Sequence, residues 1–141
     1  MDRNSLHLPC RPIGYVERRD PEGLTGDELR SRPACIVINP DLAEGLDGLR
    51  PGDDVLVLFW FHRSEGYALR VHPRGDPTYP MRGVFATRSP RRPNPIGATV
   101  AHILRIEGNV LEVIGLDAWD GSPVLDIKPY APTFDRPQAE G

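Results

Sequence analysis

Long apolar runs are missing from this chain. Only 39% of its 141 residues are hydrophobic, and no window approaches the roughly 20 apolar residues that a membrane-spanning helix needs. Cysteine is nearly absent: Cys10 and Cys35 are the only two, which excludes a multi-disulfide framework. One pairing is open to them, but a reducing compartment favours free thiols. The four histidines, His7, His62, His72 and His102, are scattered; no spacing suits a structural zinc, and no metal is expected. Nor is there an excess of positive charge. Seventeen cationic side chains face 20 carboxylates, a net charge of −3, so the molecule as a whole is not a basic nucleic-acid binder. The polar, proline-bearing start over residues 1–12 does not read as a signal peptide, and a cytoplasmic protein is expected.

Glycine and proline, by contrast, are plentiful. Together they make up 30 of the 141 residues and punctuate short β-branched or aromatic runs, the pattern of an all-β barrel or sandwich. Strands are predicted over residues 13–18, 34–38, 54–61, 67–72, 81–86, 98–106 and 110–114, with a short extended piece over 124–127. Helical turns are expected only within 24–32 and 41–46. Residues 55–61 are apolar throughout, which predicts a strand covered on both faces. Glu107-Gly108-Asn109 reads as a hairpin turn. The length fits one domain, taken as residues 12–135 between an N-terminal extension over 1–11 and a tail over 136–141; the ends 1–11 and 133–141 are expected to be poorly ordered.

Charge is distributed less evenly than its sum suggests. Lys128 is the only lysine against sixteen arginines. Arg82, Arg88, Arg91 and Arg92 fall within eleven residues, and guanidinium groups suit bidentate recognition of phosphate or carboxylate. They lie in or beside the run Gly-Val-Phe-Ala-Thr-Arg-Ser-Pro-Arg-Arg-Pro-Asn-Pro-Ile-Gly (83–97), whose three prolines restrict φ. Such a loop fits an anionic or planar ligand; a solvated loop is the plainer reading. Downstream, Asp117, Asp120, Asp126, Lys128 and Tyr130 crowd into fourteen residues. In Asp126-Ile127-Lys128, strand alternation places the carboxylate and the ammonium on one face and Ile127 on the other.

The segments 83–97 and Asp-Gly-Ser-Pro-Val-Leu-Asp-Ile-Lys-Pro-Tyr (120–130) together resemble the TsaA-like, or TrmO, family. Arg11-Pro12-Ile13-Gly14, Gly45-Leu46-Asp47-Gly48-Leu49 and Phe59-Trp60-Phe61-His62-Arg63 match in the same order. The resemblance implies a small single-sheeted β-barrel of some seven strands with short helical turns. It also implies S-adenosylmethionine as cofactor, a homodimer with its active site near the subunit interface, and methylation of N6 of N6-threonylcarbamoyladenosine beside the anticodon of threonine tRNA. By position, the cofactor-binding candidates are His62, Arg63, Arg88, Asp120, Gly121, Ser122 and Pro123. Arg91, Arg92 and Asn94 are the candidates for contacting tRNA.

The acceptor would be a urea-like nitrogen, a weak nucleophile while it holds its proton. Asp126 or Asp117 is therefore a candidate base, with Lys128 or Tyr130 polarising the carbamoyl oxygen. Each residue has a second reading: Arg88 as partner to a carboxylate, His62 as a rim histidine, Lys128 in a salt bridge, Tyr130 as a core or interface aromatic. Two alternatives to the tRNA reaction stand beside it: methyl transfer to another RNA base or a small molecule, and a non-catalytic S-adenosylmethionine-binding module. Residues 18–33 lack the Pro-Arg-Gln segment common in the tRNA enzymes, Ser122 replaces threonine, and Trp119 replaces an aliphatic residue.

Overall fold

Apolar side chains at alternate positions of short strands can be buried together only if the sheet curls on itself, and here it closes. The computed structural model describes residues 3–138. Its strands are β1 (Gly14–Glu17), β2 (Ala34–Ile38), β3 (Asp54–Trp60), β4 (Arg70–Val71), β5 (Arg82–Gly83), β6 (Ile96–Glu107), β7 (Val110–Ile114) and β8 (Pro123–Pro129). Six of them form a closed antiparallel barrel in the order β1-β2-β7-β6-β3-β8, while β4 and β5 pair separately as a two-stranded ribbon. The expected all-β barrel is therefore present, with six barrel strands rather than seven. Helix is confined to α1 (Gly26–Arg30), α2 (Pro132–Asp135) and short 3-10 turns, one of them at Pro40–Leu46. No helix among the described residues is long and apolar enough to cross a membrane.

Val16, Ile36, Val57, Ile103, Leu111, Val113 and Val124 are fully buried inside the barrel. Phe59 joins them and meets Phe61 edge-on at 5.1 Å. The β6–β7 hairpin turns through Gly108 at φ 60°, the positive φ that glycine adopts without a Cβ penalty. The helix within 24–32 begins where Thr25 and Glu28 form a reciprocal capping box.

Two expectations change. Residues 67–72 and 81–86 contract to the two-residue arms β4 and β5, with 84–86 in a 3-10 turn; Pro73, Pro77 and Pro80 interrupt the chain between them and deny the ribbon further pairing donors. The apolar strand β3 is covered on one face only: Val55, Val57 and Phe59 point inward, whereas Leu56, Leu58 and Trp60 are partly exposed outside. They pair with Val100, Ala98 and Ile96 of β6, so one outer wall of the barrel carries an apolar stripe.

Candidate functional site

Five segments meet around a cleft of about 960 Å³. The chain leaving β3 supplies Phe61, His62 and Arg63; the loop after β5 supplies Thr87 to Arg91; the stretch before β8 supplies Asp117 to Trp119 and Ser122. Residues 25–30 around α1 and residues 70–75 around β4 complete it. The first long motif contributes Thr87 to Arg91, and the second only Ser122.

A single buried arginine, itself outside the cleft lining, braces two of these segments. Arg18, at the end of β1, donates from Nη1 to the carbonyls of Leu116 (3.0 Å) and Ala118 (2.7 Å) and from Nη2 to that of Leu29 (2.8 Å). Its Nε meets Asp20 Oδ2 at 2.7 Å, and its side chain is 2% exposed. One guanidinium therefore joins β1, α1 and the chain at Leu116 and Ala118. Asp117, between those two, is held in turn: Oδ2 accepts from Arg30 (3.0 Å) and Oδ1 from Thr99 (2.7 Å). With both oxygens engaged, Asp117 is better suited to fixing Arg30 and Thr99 than to accepting a further proton.

Asp120-Gly121-Ser122-Pro123 is a turn with a defined geometry. The Ser122 N–H donates to the Trp119 carbonyl at 3.0 Å, and Gly121 takes φ 81°, as the third position of a type II turn demands. Gly121 N–H donates to Val16 (2.7 Å), and Asp120 Oδ1 accepts the Arg18 backbone N–H (2.9 Å). Ser122, 2% exposed, lines the cleft. Opposite, the Arg63 guanidinium lies 5.1 Å from the Trp119 ring centroid, a cation–π contact worth about 0.5–1 kcal/mol at an exposed site.

His62 has its pKa lowered from the ordinary 6.5, chiefly by desolvation and then by the Arg63 charge, with Asp120 opposing. The ring is neutral at pH 7 and can accept a proton. An NMR titration should place its midpoint below 6.5, shifted up in Arg63→Gln and further down in Asp120→Asn. Unshifted midpoints in both variants would show that these charges do not act on the ring.

Of the predicted residues, His62, Arg63, Arg88, Arg91 and Ser122 line the cleft. Arg88 donates to the Ala98 carbonyl of β6 at 2.8 Å, and with Arg30 and Ala98 it lines a neighbouring hollow of about 400 Å³. Arg92 donates to the carbonyls of Thr87 (2.8 Å) and Ser89 (3.0 Å) and so holds the loop. Asn94 accepts the Ile96 N–H through its backbone carbonyl at 2.7 Å. Pro123 pairs with Tyr15 where β8 joins β1. Asp126, Lys128 and Tyr130 lie outside the cleft lining. Asp126 and Lys128 share a face as alternation requires, with a 3.1 Å ion pair, and their register partners are Leu58 and Leu56 on the outer wall. The Tyr130 N–H donates to the Asp54 carbonyl at 3.0 Å.

Arg18, Arg30 and Thr99 belong to no motif of the sequence; folding brings Arg30 to the cleft and sets Arg18 and Thr99 against the segment 116–118 that borders it. Among the described residues, no group of three or more His, Cys, Asp or Glu side chains is placed to hold a metal ion.

Known proteins are similar to this chain in sequence and in fold. The profile of the tRNA-methyltransferase O N-terminal domain matches residues 24–136. A probable S-adenosyl-L-methionine-binding protein of Methanocaldococcus jannaschii is 39% identical over 132 residues, covering 91% of this chain and 96% of its own. The tRNA (adenine(37)-N6)-methyltransferase of Mus musculus is 38% identical over 145 residues, covering 94% of this chain but 33% of its own. The crystal structure of TrmO from Pseudomonas aeruginosa superposes with a TM-score of 0.73 at 30% identity over 96% of this chain. This chain spans 62% of that solved chain, and a third of the mouse enzyme's length. By profile, sequence and fold, the chain belongs to the TsaA-like, or TrmO, family, defined by the tRNA-methyltransferase O N-terminal domain.

Proposed function

We propose that this protein is an S-adenosylmethionine-dependent methyltransferase acting in the cytoplasm on N6 of an adenine in tRNA, specifically N6-threonylcarbamoyladenosine beside the anticodon of threonine tRNA. The observation that carries this reading is the chemistry of the cleft. Arginines stand on its walls, Phe61, Ala118 and Trp119 supply apolar surface, and a neutral histidine and a buried serine hydroxyl face the same space. Its volume lies near the top of the roughly 300–1,000 Å³ range of small-molecule sites, which suits a cofactor with an acceptor base beside it.

The residues present fit S-adenosylmethionine. Arg88 and Arg63 provide donors for its carboxylate, Ser122 a hydroxyl for its ribose, and Phe61 and Trp119 flat walls for its adenine. When bound, the cofactor supplies an electrophilic methyl group on its sulfonium. The chain does the rest: it orients the acceptor nitrogen, excludes water, and offers the neutral His62 ring to take up the departing proton.

Asp126, Lys128 and Tyr130 enter this reading through a homodimer. The outer stripe of Leu56, Leu58, Trp60, Ile96 and Val100 adjoins the Asp126–Lys128 pair, and a second copy packed there would bring those three residues to the subunit boundary. Sedimentation of the protein as a monomer would remove that role. The acceptor is tested by S-adenosylhomocysteine production with threonine tRNA carrying or lacking the threonylcarbamoyl group. Turnover with the modified tRNA alone is the expected result. Turnover with both forms would move the acceptor elsewhere, and binding without turnover would make the protein a cofactor-binding module.

A further inference from the structure

The segment between β3 and β6 has a character opposite to the rest of the molecule. Residues 62–92 hold seven arginines against two carboxylates, Glu65 and Asp76, while the remaining sequence holds ten cationic side chains against eighteen carboxylates. Asp76 Oδ1 accepts the Thr78 N–H (2.9 Å) and hydroxyl (2.7 Å) within its own loop. On this basic arm three aromatic rings stand in water: Tyr67, Tyr79 and Phe85, the last 78% exposed. They alternate along the chain with Arg70, Arg74, Arg82 and Arg88.

The arm's backbone is fixed. Arg70 pairs with Gly83 and Val71 with Arg82 across the ribbon; Val84 N–H donates to Leu69 (2.8 Å) and Ala68 N–H to Arg91 (3.3 Å), while Val71 and Val84 are buried. Exposed rings on a fixed backbone lose little further entropy when they are covered. Arg70, Arg74 and Met81 also line the cleft, so the arm is continuous with it. Arg74 additionally lies 3.6 Å from Asp27, an exposed pair that a phosphate can displace.

We propose that this arm binds an unpaired RNA loop. Tyr67, Tyr79 and Phe85 stack on bases neighbouring the one that enters the cleft, and Arg70, Arg74 and Arg82 contact the connecting phosphates. The inference rests on the reading that the acceptor is RNA, and it adds the surface that selects a loop over a helix. Aromatic rings stack only on bases whose faces are free, which a duplex does not offer. Arginine contacts supply a salt-dependent attraction that is indifferent to base identity. The excess of arginine among the rings favours a polyanionic single strand over a protein partner.

The test is the affinity of the whole protein for an anticodon stem-loop RNA and for a fully paired duplex of the same stem. Tyr67→Ala and Phe85→Ala should each weaken stem-loop binding about tenfold, the loss expected for one base stack, and leave duplex binding as it is. Phe85→Tyr should restore affinity. Arg82→Gln should lower the slope of log affinity against log salt by about one. S-adenosylmethionine affinity should stay at the wild-type value in Tyr67→Ala and Phe85→Ala, since neither ring lines the cleft. Unchanged stem-loop binding in both alanine variants overturns the proposal while leaving the RNA reading intact, as does equal weakening on duplex and loop. Conversion of a dimer to a monomer by Phe85→Ala overturns it in favour of a protein contact. A wild-type protein that binds the cofactor but neither RNA overturns the RNA reading and this inference with it.

Discussion

Arg18→Met should cost about 3–5 kcal/mol of folding stability and lower the melting temperature by on the order of 10 °C. Three buried carbonyls, those of Leu29, Leu116 and Ala118, would lose their donor, and each orphaned group carries a desolvation cost of about 1–3 kcal/mol. Methionine fills most of the volume, so the loss would report hydrogen bonding rather than a cavity. Arg18→Lys should recover only part of it, because an ammonium lacks the planar fork that serves several segments at once. Urea denaturation measures both. Since the guanidinium joins α1 to Ala118 of the cleft lining, cofactor affinity should fall with stability; a variant within 1 kcal/mol of wild type would remove Arg18 from that role. The Asp20 partner adds a pH signature. Its pKa is held below the usual 3.8, first by the hydrogen bond from Arg18. Its contribution is complete above pH 3.8 and disappears as pH falls through the lower folded value, so Asp20→Asn should lose stability at pH 7 and flatten the acid limb of the stability curve.

Gly97→Ala should also destabilise the barrel, by less than Arg18→Met, and Gly97→Val by more than Gly97→Ala. A Cβ built at Gly97 would overlap the Phe59 ring. That ring is 1% exposed and packed edge-on against Phe61, at 5.1 Å between centroids, so it has no empty space to turn into. Overpacking of this kind costs about 1–3 kcal/mol. Phe59→Leu destabilises alone but should relieve Gly97→Ala, giving a favourable coupling of about 0.5–3 kcal/mol in a double-mutant cycle. Additive losses would mean that the backbone, not the ring, limits this position. The last glycine of the 83–97 motif is therefore explained by close packing of β6 on β3 without reference to a ligand.

How far the sequence carries depends on the range of the interaction concerned. Residues 34–38 and 110–114 coincide with β2 and β7 because their alternation and their Gly, Pro and Asn boundaries are local signals. The α1 capping box is equally local. The length of the β4–β5 ribbon was not legible, since it depends on how many pairs survive between prolines and on the absence of a third strand. The 87–91 wall of the cleft and Ser122 were visible within residue runs. Arg18 was not: its burial follows from carbonyls about a hundred residues away. The Asp126–Lys128 pairing followed from alternation, but the wall it faces is set by the register shift between Leu58 and Phe59 against β8, which residue order does not announce.

If S-adenosylmethionine occupies the cleft as proposed, Arg88 is one of the residues that grip it. Calorimetric titration of the cofactor into the wild type and Arg88→Ala tests it most directly, because Arg88 is exposed and its removal should leave the barrel folded. Saturable one-site binding in the wild type, lost in the variant, is the predicted result. No heat of binding in the wild type would contradict the account and leave the family relationship as a statement about the barrel alone.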